Sequence, residues 1–239
     1  MAKKSFVSLV EGSESDAGYR TLIERTYGRL REDILNGTLQ PGEKLLVEHI
    51  KQRYDVGSGT IREALSRLVS EAMVIAEGQR GFTVAPISIE DLIDVTNVRV
   101  SVETEALRVS IRQGDDFWRH RLRLAFETLS SLEQPLHDEN IRRWEQANTA
   151  FHAALLSACG SPWALRMVHQ LTQHAERYRR FSIGLHPGRD VHTEHQHIFD
   201  AAIAGQDARA ALALEAHIRA TPELLAQSVK NGVDVFNVG

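Results

Sequence analysis

Eleven histidines stand in the 239-residue chain, ten of them after residue 100. Their spacing sorts them. Asn148 and His152 are four residues apart, so on a helix they share one face, and that face continues through Leu155, Leu156 and Cys159. His195 falls on a stripe with Val191, Ile198, Phe199 and Ala202, whereas His197 lies on a different face. His217 goes with Ala210, Ala213 and Leu214. Apolar neighbours at helical spacing mark a face turned inward. Three inward histidines and one amide oxygen, carried by three helices, can meet in a bundle core, and imidazole suits zinc and related divalent ions. The other reading is plainer: a single histidine on an apolar face is more often a hydrogen-bonded core residue than a ligand.

A second chemical signal is Arg99. It lies one helical turn from Val95, Val102 and Glu103, so its stripe also points inward. A buried arginine needs an acidic partner or an acidic ligand. Glu103, four residues on, is one candidate partner and a bound acid is the other. Arg143, Arg177 and Tyr178 are weaker candidates for the same pocket, while Trp144 and Trp163 read as packing residues. Histidine ligands with an open coordination position would also describe a hydrolase. Against that, no Asp or Glu adjoins these histidines on their inward faces. The chain also has no nucleophile elbow and no phosphate loop. The expectation is therefore not an enzyme.

The elements that must position these residues follow from periodicity and breakers. Residues 1–18 are rich in Ser, Gly and charge and read as a flexible tail. From Tyr19, Leu22, Tyr27, Leu30 and Ile34 make a helical stripe that ends at Asn36-Gly37, and Pro41-Gly42 signals a turn. A short helix is predicted over 47–54, a tight connection over 56–59 and a third helix over 60–71. Two β-type runs, 74–76 and 82–84, are joined by a five-residue link with two glycines, which suggests a hairpin. Beyond Pro86 every periodic segment is helical: about 88–113, 115–133, 138–159, 161–184, 190–204 and 207–230. The fold class is mainly α. A winged helix-turn-helix of three helices and a two-stranded wing spans 19–86. An all-α bundle of six or seven helices spans 87–232, and 233–239 is a tail.

Composition narrows the classes. An apolar fraction of 42% and a charged fraction of 25% are ordinary for a globular protein. No apolar run approaches the ~18 residues of a membrane span, and the apolar stretch near the start is too short for a signal-peptide core. The single cysteine, Cys159, permits no intrachain disulfide, so the expected compartment is the reducing cytoplasm, with no membrane association. Residues 19–86 hold ten Lys and Arg against nine Asp and Glu, and residues 87–239 hold sixteen against twenty. Net charge therefore says little about DNA, although phosphate contacts are local and need only a basic face.

That face is predicted on the third helix. With its apolar stripe turned to the core, Ser58, Thr60, Arg62, Glu63, Ser66 and Arg67 project outward, and a helix of this size fits the major groove. Gly59 and Thr60 can present backbone N–H groups to a phosphate. Arg80 and Gly81 form the wing tip, with Arg80 in reach of the backbone or minor groove.

Three ordered motifs carry a resemblance: LREDILNGTLQPGEKL (30–45), IREALSRLVSEAMV (61–74) and QRGFTVA (79–85). They resemble the GntR family of transcription regulators. The segments 148–165 and 195–218 resemble the FCD-type C-terminal domain of its FadR subfamily, and the chain is most similar to the carbon-starvation-induced type. In the family an arginine usually precedes the arginine matching Arg62 by four residues, and here that position is Ser58. Another frequent arginine, early in the second helix, is absent, with Glu48 nearby. The resemblance implies a homodimer on double-stranded operator DNA, most often a repressor. It implies a divalent ion, zinc first with nickel or manganese as alternatives, on Asn148, His152, His195 and His217. It places an arginine at Arg99 as a carboxylate clamp, so the expected effector is a small carboxylate or a short dicarboxylate such as glutarate. A protein that binds DNA without any effector, its histidines purely structural, is the competing expectation.

Overall fold

The computed structural model describes residues 21–78, 81–133, 140–185 and 189–233. The expected tail 1–18, Arg80 at the wing tip and residues 234–239 lie outside these. The chain divides into two units, Met1–Ala85 and Pro86–Gly239.

In the first unit, α1 (Leu22–Leu35) starts where Thr21 and Glu24 cap it reciprocally: the Thr21 side chain accepts from the Glu24 amide at 3.1 Å, and Glu24 accepts from the Thr21 amide at 3.0 Å. After the Pro41-Gly42 turn, a strand absent from the sequence reading forms at Lys44–Leu45 (β1). It is followed by α2 (Val47–Tyr54), α3 (Ser58–Ser70), β2 (Val74–Ala76) and β3 (Phe82–Val84). β1 and β2 flank β3, both antiparallel, so the wing has three strands and not two. The reason is local. The turn lets the Gly42 amide donate to the Val84 carbonyl at 3.0 Å and the Val84 amide to that of Glu43 at 2.9 Å. A two-residue strand is too short to show alternation. α3 also begins two residues earlier than expected, capped by Gly57, so Ser58 and Gly59 belong to its first turn. Leu30, Leu45, Ile61, Leu65, Leu68, Met73 and Val84 fill the core of this unit.

The second unit holds α4 (Ile89–Gln113), α5 (Asp116–Glu133), α6 (Ile141–Leu156), α7 (Pro162–Leu185), α8 (Val191–Ile203) and α9 (Asp207–Lys230). Its main core runs through Leu107, Leu122, Phe126, Phe151, Leu155, Ile198, Leu214 and Ile218. A smaller cluster joins Leu92 of α4, Tyr178 of α7 and Leu225 of α9. Pro222 stands inside α9 between these two clusters. Proline lacks the N–H that would bond the carbonyl four residues back, and its ring crowds that carbonyl.

The α4–α5 corner depends on Gly114. Its φ of −66° suits any residue, but a Cβ there would sit 2.3 Å from Cε3 of Trp118 and 2.7 Å from the Ser110 carbonyl oxygen. Trp118 cannot retreat, because its ring is buried and its Nε1–H donates to the Ala154 carbonyl at 2.9 Å. Gly114→Ala is therefore expected to destabilise the protein by about 2–3 kcal/mol through overpacking alone. Urea unfolding would register this as a lower midpoint.

Candidate metal centre and DNA-facing helix

Three helices deliver the inward histidines to one place. α6 carries His152, α8 carries His195 and α9 carries His217. One ligand atom from each lies within 4.8 Å of the others. Ring centroids are 5.5 Å apart for His152 and His195, 5.1 Å for His152 and His217, and 4.6 Å for His195 and His217. Asn148 is buried on α6, one turn before His152 and on the same face. Burial holds the His152 and His217 imidazoles well below the usual histidine range. The charges of His217, His195, Arg99 and Arg179 add to the shift of His152, and those of His195, Arg189, Arg99 and Arg179 to the shift of His217. Neutral rings keep a lone pair for a ligand.

The ring nitrogens show whether an ion fits. Nδ1 of His152 and Nε2 of His195 are buried without a hydrogen-bond partner. His195 Nδ1 lies 2.7 Å from Oε1 of Glu133, and His217 Nδ1 lies 2.7 Å from Oε2 of Glu194. An ionised carboxylate only accepts, so in both rings Nδ1 carries the proton and Nε2 presents its lone pair. Zn–N bonds of about 2.1 Å place nitrogens sharing one ion on the order of 3–4 Å apart. Small ring rotations close that gap, and the residues present fit a divalent cation.

The carboxylates that orient the rings are held in turn. Arg189 clamps Glu194 with Nε–Oε1 at 2.9 Å and Nη2–Oε2 at 2.7 Å. Glu133 accepts from Trp144 Nε1 at 3.1 Å and stands 3.2 Å from His192 Nδ1. Burial would raise the Glu133 carboxyl, but His195 and then Trp144 and His192 hold it below its usual value. Here the sequence reading needs correction. It found no acid beside these histidines, yet Glu133 arrives from α5. Glu194, next to His195 in the chain, serves His217.

The expected acid-binding residues separate. Arg99 and Glu103 pair with each other, Nε–Oε1 2.7 Å and Nη2–Oε2 3.4 Å, both buried. Arg143 is exposed, because the inward face of α6 is occupied by Trp144, Glu145, Asn148 and His152. Tyr178 donates to Asp91 at 2.5 Å and accepts from the Ser88 amide at 3.3 Å, and His174 Nε2 meets the same carboxylate at 2.7 Å. The charge of Arg177 acts on Asp91 as well. Tyr178 by its hydrogen bonds, and Arg177 by its charge, thus act on the first turn of α4. Among the described side chains of α7, Arg179 is one whose charge reaches the histidines, and it is unremarked in the sequence reading. It binds Glu145 through Nε at 3.0 and 3.2 Å.

On α3, Gly59, Arg62, Glu63, Ser66 and Arg67 are exposed, and Ser58 and Thr60 are half-buried. Arg67 lies 3.5 Å from Glu63 one turn earlier, and the Ser66 hydroxyl donates to the Arg62 carbonyl at 2.8 Å. Gly81 has φ +100°, a conformation that favours glycine at the wing. Glu48 of α2 pairs with Lys51. That contact, with Ser58 and Arg62, holds its carboxyl below the usual range.

Residues 22–84 match the model of the bacterial regulatory proteins, gntR family, and residues 94–220 match the FCD domain. The chain belongs to the GntR family and carries an FCD domain. Over 218 residues it is 42% identical to the HTH-type transcriptional regulator BphR of Paraburkholderia xenovorans (strain LB400), covering 88% of each chain. Over 209 residues it is 32% identical to the HTH-type transcriptional repressor GlaR of Escherichia coli (strain K12), covering 85% of this chain and 95% of that one. A GntR transcriptional regulator from Rhodococcus sp. RHA1 superposes with a TM-score of 0.67 at 25% identity, over 85% of this chain and 97% of the other. GntR proteins are DNA-binding transcription regulators, not enzymes, and so is this one. Among the described residues no helix is long and apolar enough to cross a membrane.

Proposed function

We propose that this GntR regulator is a homodimeric repressor whose operator affinity is set by a small carboxylic acid bound at a metal centre in the helical domain. The observation that carries the reading is the set of three histidines from three helices, with two buried ring nitrogens lacking partners. Asn148, His152, His195 and His217 would hold the ion, zinc first and nickel or manganese next. Bound there, the ion would supply a Lewis-acidic positive charge for a carboxylate oxygen. Arg99 and Arg179 are each offset by a carboxylate of their own, Glu103 and Glu145, so the ion itself would be the positive charge that meets the anion. Repression follows the printed name of the E. coli relative GlaR. Resemblance to the carbon-starvation-induced type favours a short dicarboxylate. DNA contact would come from Ser58, Gly59, Thr60, Arg62, Ser66 and Arg67 of α3 and from Arg80 and Gly81 of the wing. The functional domains would be 19–86 and 87–232. Two-fold operators call for a two-fold protein.

A melting-temperature screen of small dicarboxylic and hydroxy acids tests this, because a ligand selective for the folded state stabilises it. An acid present at about 100 times its Kd should add about 2.7 kcal/mol, and should do so only in zinc-loaded protein. The same acid should release operator DNA in a mobility-shift assay. If no acid moves either readout in zinc-loaded protein, the effector-independent reading takes over.

A further inference from the structure

We infer that Glu133, the last residue of α5, is the positioning residue of this centre: it sets the orientation of His195 and supplies the negative charge that one amide and three imidazoles lack. The inference rests on the metal reading above. Among the described residues the carboxylates of Glu103, Glu133, Glu145, Glu176 and Glu194 stand by the histidines or the arginines next to them, Glu176 through its charge on Arg179. Three have a guanidinium partner: Arg99 for Glu103, Arg179 for Glu145 and Arg189 for Glu194. Glu133 differs. Its side chain is only 3% exposed, and its partners among the described residues are Trp144, His192 and His195, none of which carries a permanent charge.

A buried carboxylate is costly unless a cation compensates it. A divalent ion on Nε2 of His195 would sit one imidazole away from that charge, and Nε2 is the buried nitrogen without a partner. The hydrogen bond at 2.7 Å fixes the tautomer that leaves Nε2 open. Glu194 does the same for His217, but Arg189 offsets its charge. Removing Glu194 and Arg189 together would leave the net charge at the site unchanged, whereas losing Glu133 would not.

The experiment is zinc titration of the full-length protein against a competing chelator, with cobalt(II) loading to read the ligand field. Glu133→Gln should weaken zinc binding by about 10–100-fold and change the visible cobalt band. Its metal-free melting temperature should stay within about 4 °C of wild type, as expected where stability changes by no more than about 1 kcal/mol. The double variant Arg189→Gln with Glu194→Gln should lose less than Glu133→Gln. Glu133→Asp keeps the charge but withdraws it, and should fall between wild type and Glu133→Gln. A Glu133→Gln affinity within about three-fold of wild type overturns the inference, as does a loss no greater than that of the double variant. If Glu133→Gln does not fold, Glu133→Asp decides, and a wild-type affinity with an unchanged cobalt band overturns the role. A wild-type protein that binds neither ion overturns the metal reading itself. Zinc-binding wild type with an indifferent Glu133→Gln sinks only the role of Glu133.

Discussion

His152→Ala is expected to abolish high-affinity zinc binding, together with the zinc-dependent rise in melting temperature. His152 is one corner of the set, within ring contact of both His195 and His217, and an alanine offers no donor. At free zinc about 100 times its Kd, binding should stabilise the wild type by about 2.7 kcal/mol. For a domain of this size that raises the melting temperature by roughly 5–10 °C. The variant should show none of this rise. Its metal-free form should also melt lower, because removing a buried ring leaves a cavity costing about 2–4 kcal/mol. Zinc titration separates the two effects, since the cavity lowers the baseline while ligand loss flattens the response. A His152→Ala protein that still binds zinc as tightly as wild type would place the ion elsewhere.

The second large effect belongs to DNA. Arg62→Ala should weaken operator binding by about 10–100-fold, equivalent to losing a groove contact of about 1–3 kcal/mol. Arg62 is exposed on α3, and the buried positions there are Ile61, Ala64, Leu65 and Leu68, so the melting temperature should hardly change. Fluorescence anisotropy at fixed salt measures the loss, and fixed salt matters because phosphate contacts release counterions. Retained affinity would refute the assigned contact. Ser58 stands where the family resemblance leads one to expect an arginine, Glu48 lies near the place of a second, and Glu48 draws on Lys51, Ser58 and Arg62. The proposed Arg62 contact would therefore be made beside an acidic neighbour.

What the chain discloses before folding depends on whether a contact lies within one helix or between helices. The stripes of His152, His195 and His217 were legible because 3.6-residue periodicity ties each to its apolar neighbours. Arg99 with Glu103 was legible too, as an i, i+4 pair. Glu133 was not. It reaches His195 across 62 residues, through the packing of α5 on α8, and no local pattern encodes that. Arg177 and Arg179 differ by two positions, about 200° around a helix. Which of them faces the histidines depends on where α4 and α6 lie. β1 escaped notice for a different reason, because its pairing is set by the Gly42 turn and by β3.

Pro222 bears on how motion could pass through the helical unit. It divides α9 between two cores: Ala210, Leu214 and Ile218 lie on the histidine side, and Leu225 lies with Leu92 and Tyr178. Where one rung of the ladder is missing, the two halves can open as separate cooperative units. A displacement of His217 would therefore meet the missing rung at Pro222 before it reached Leu225. In α7, Tyr178 and Arg179 are consecutive residues, one bound to the first turn of α4 and the other to Glu145. No proline intervenes between them, so the backbone ladder of α7 keeps there the kind of rung that α9 lacks at Pro222.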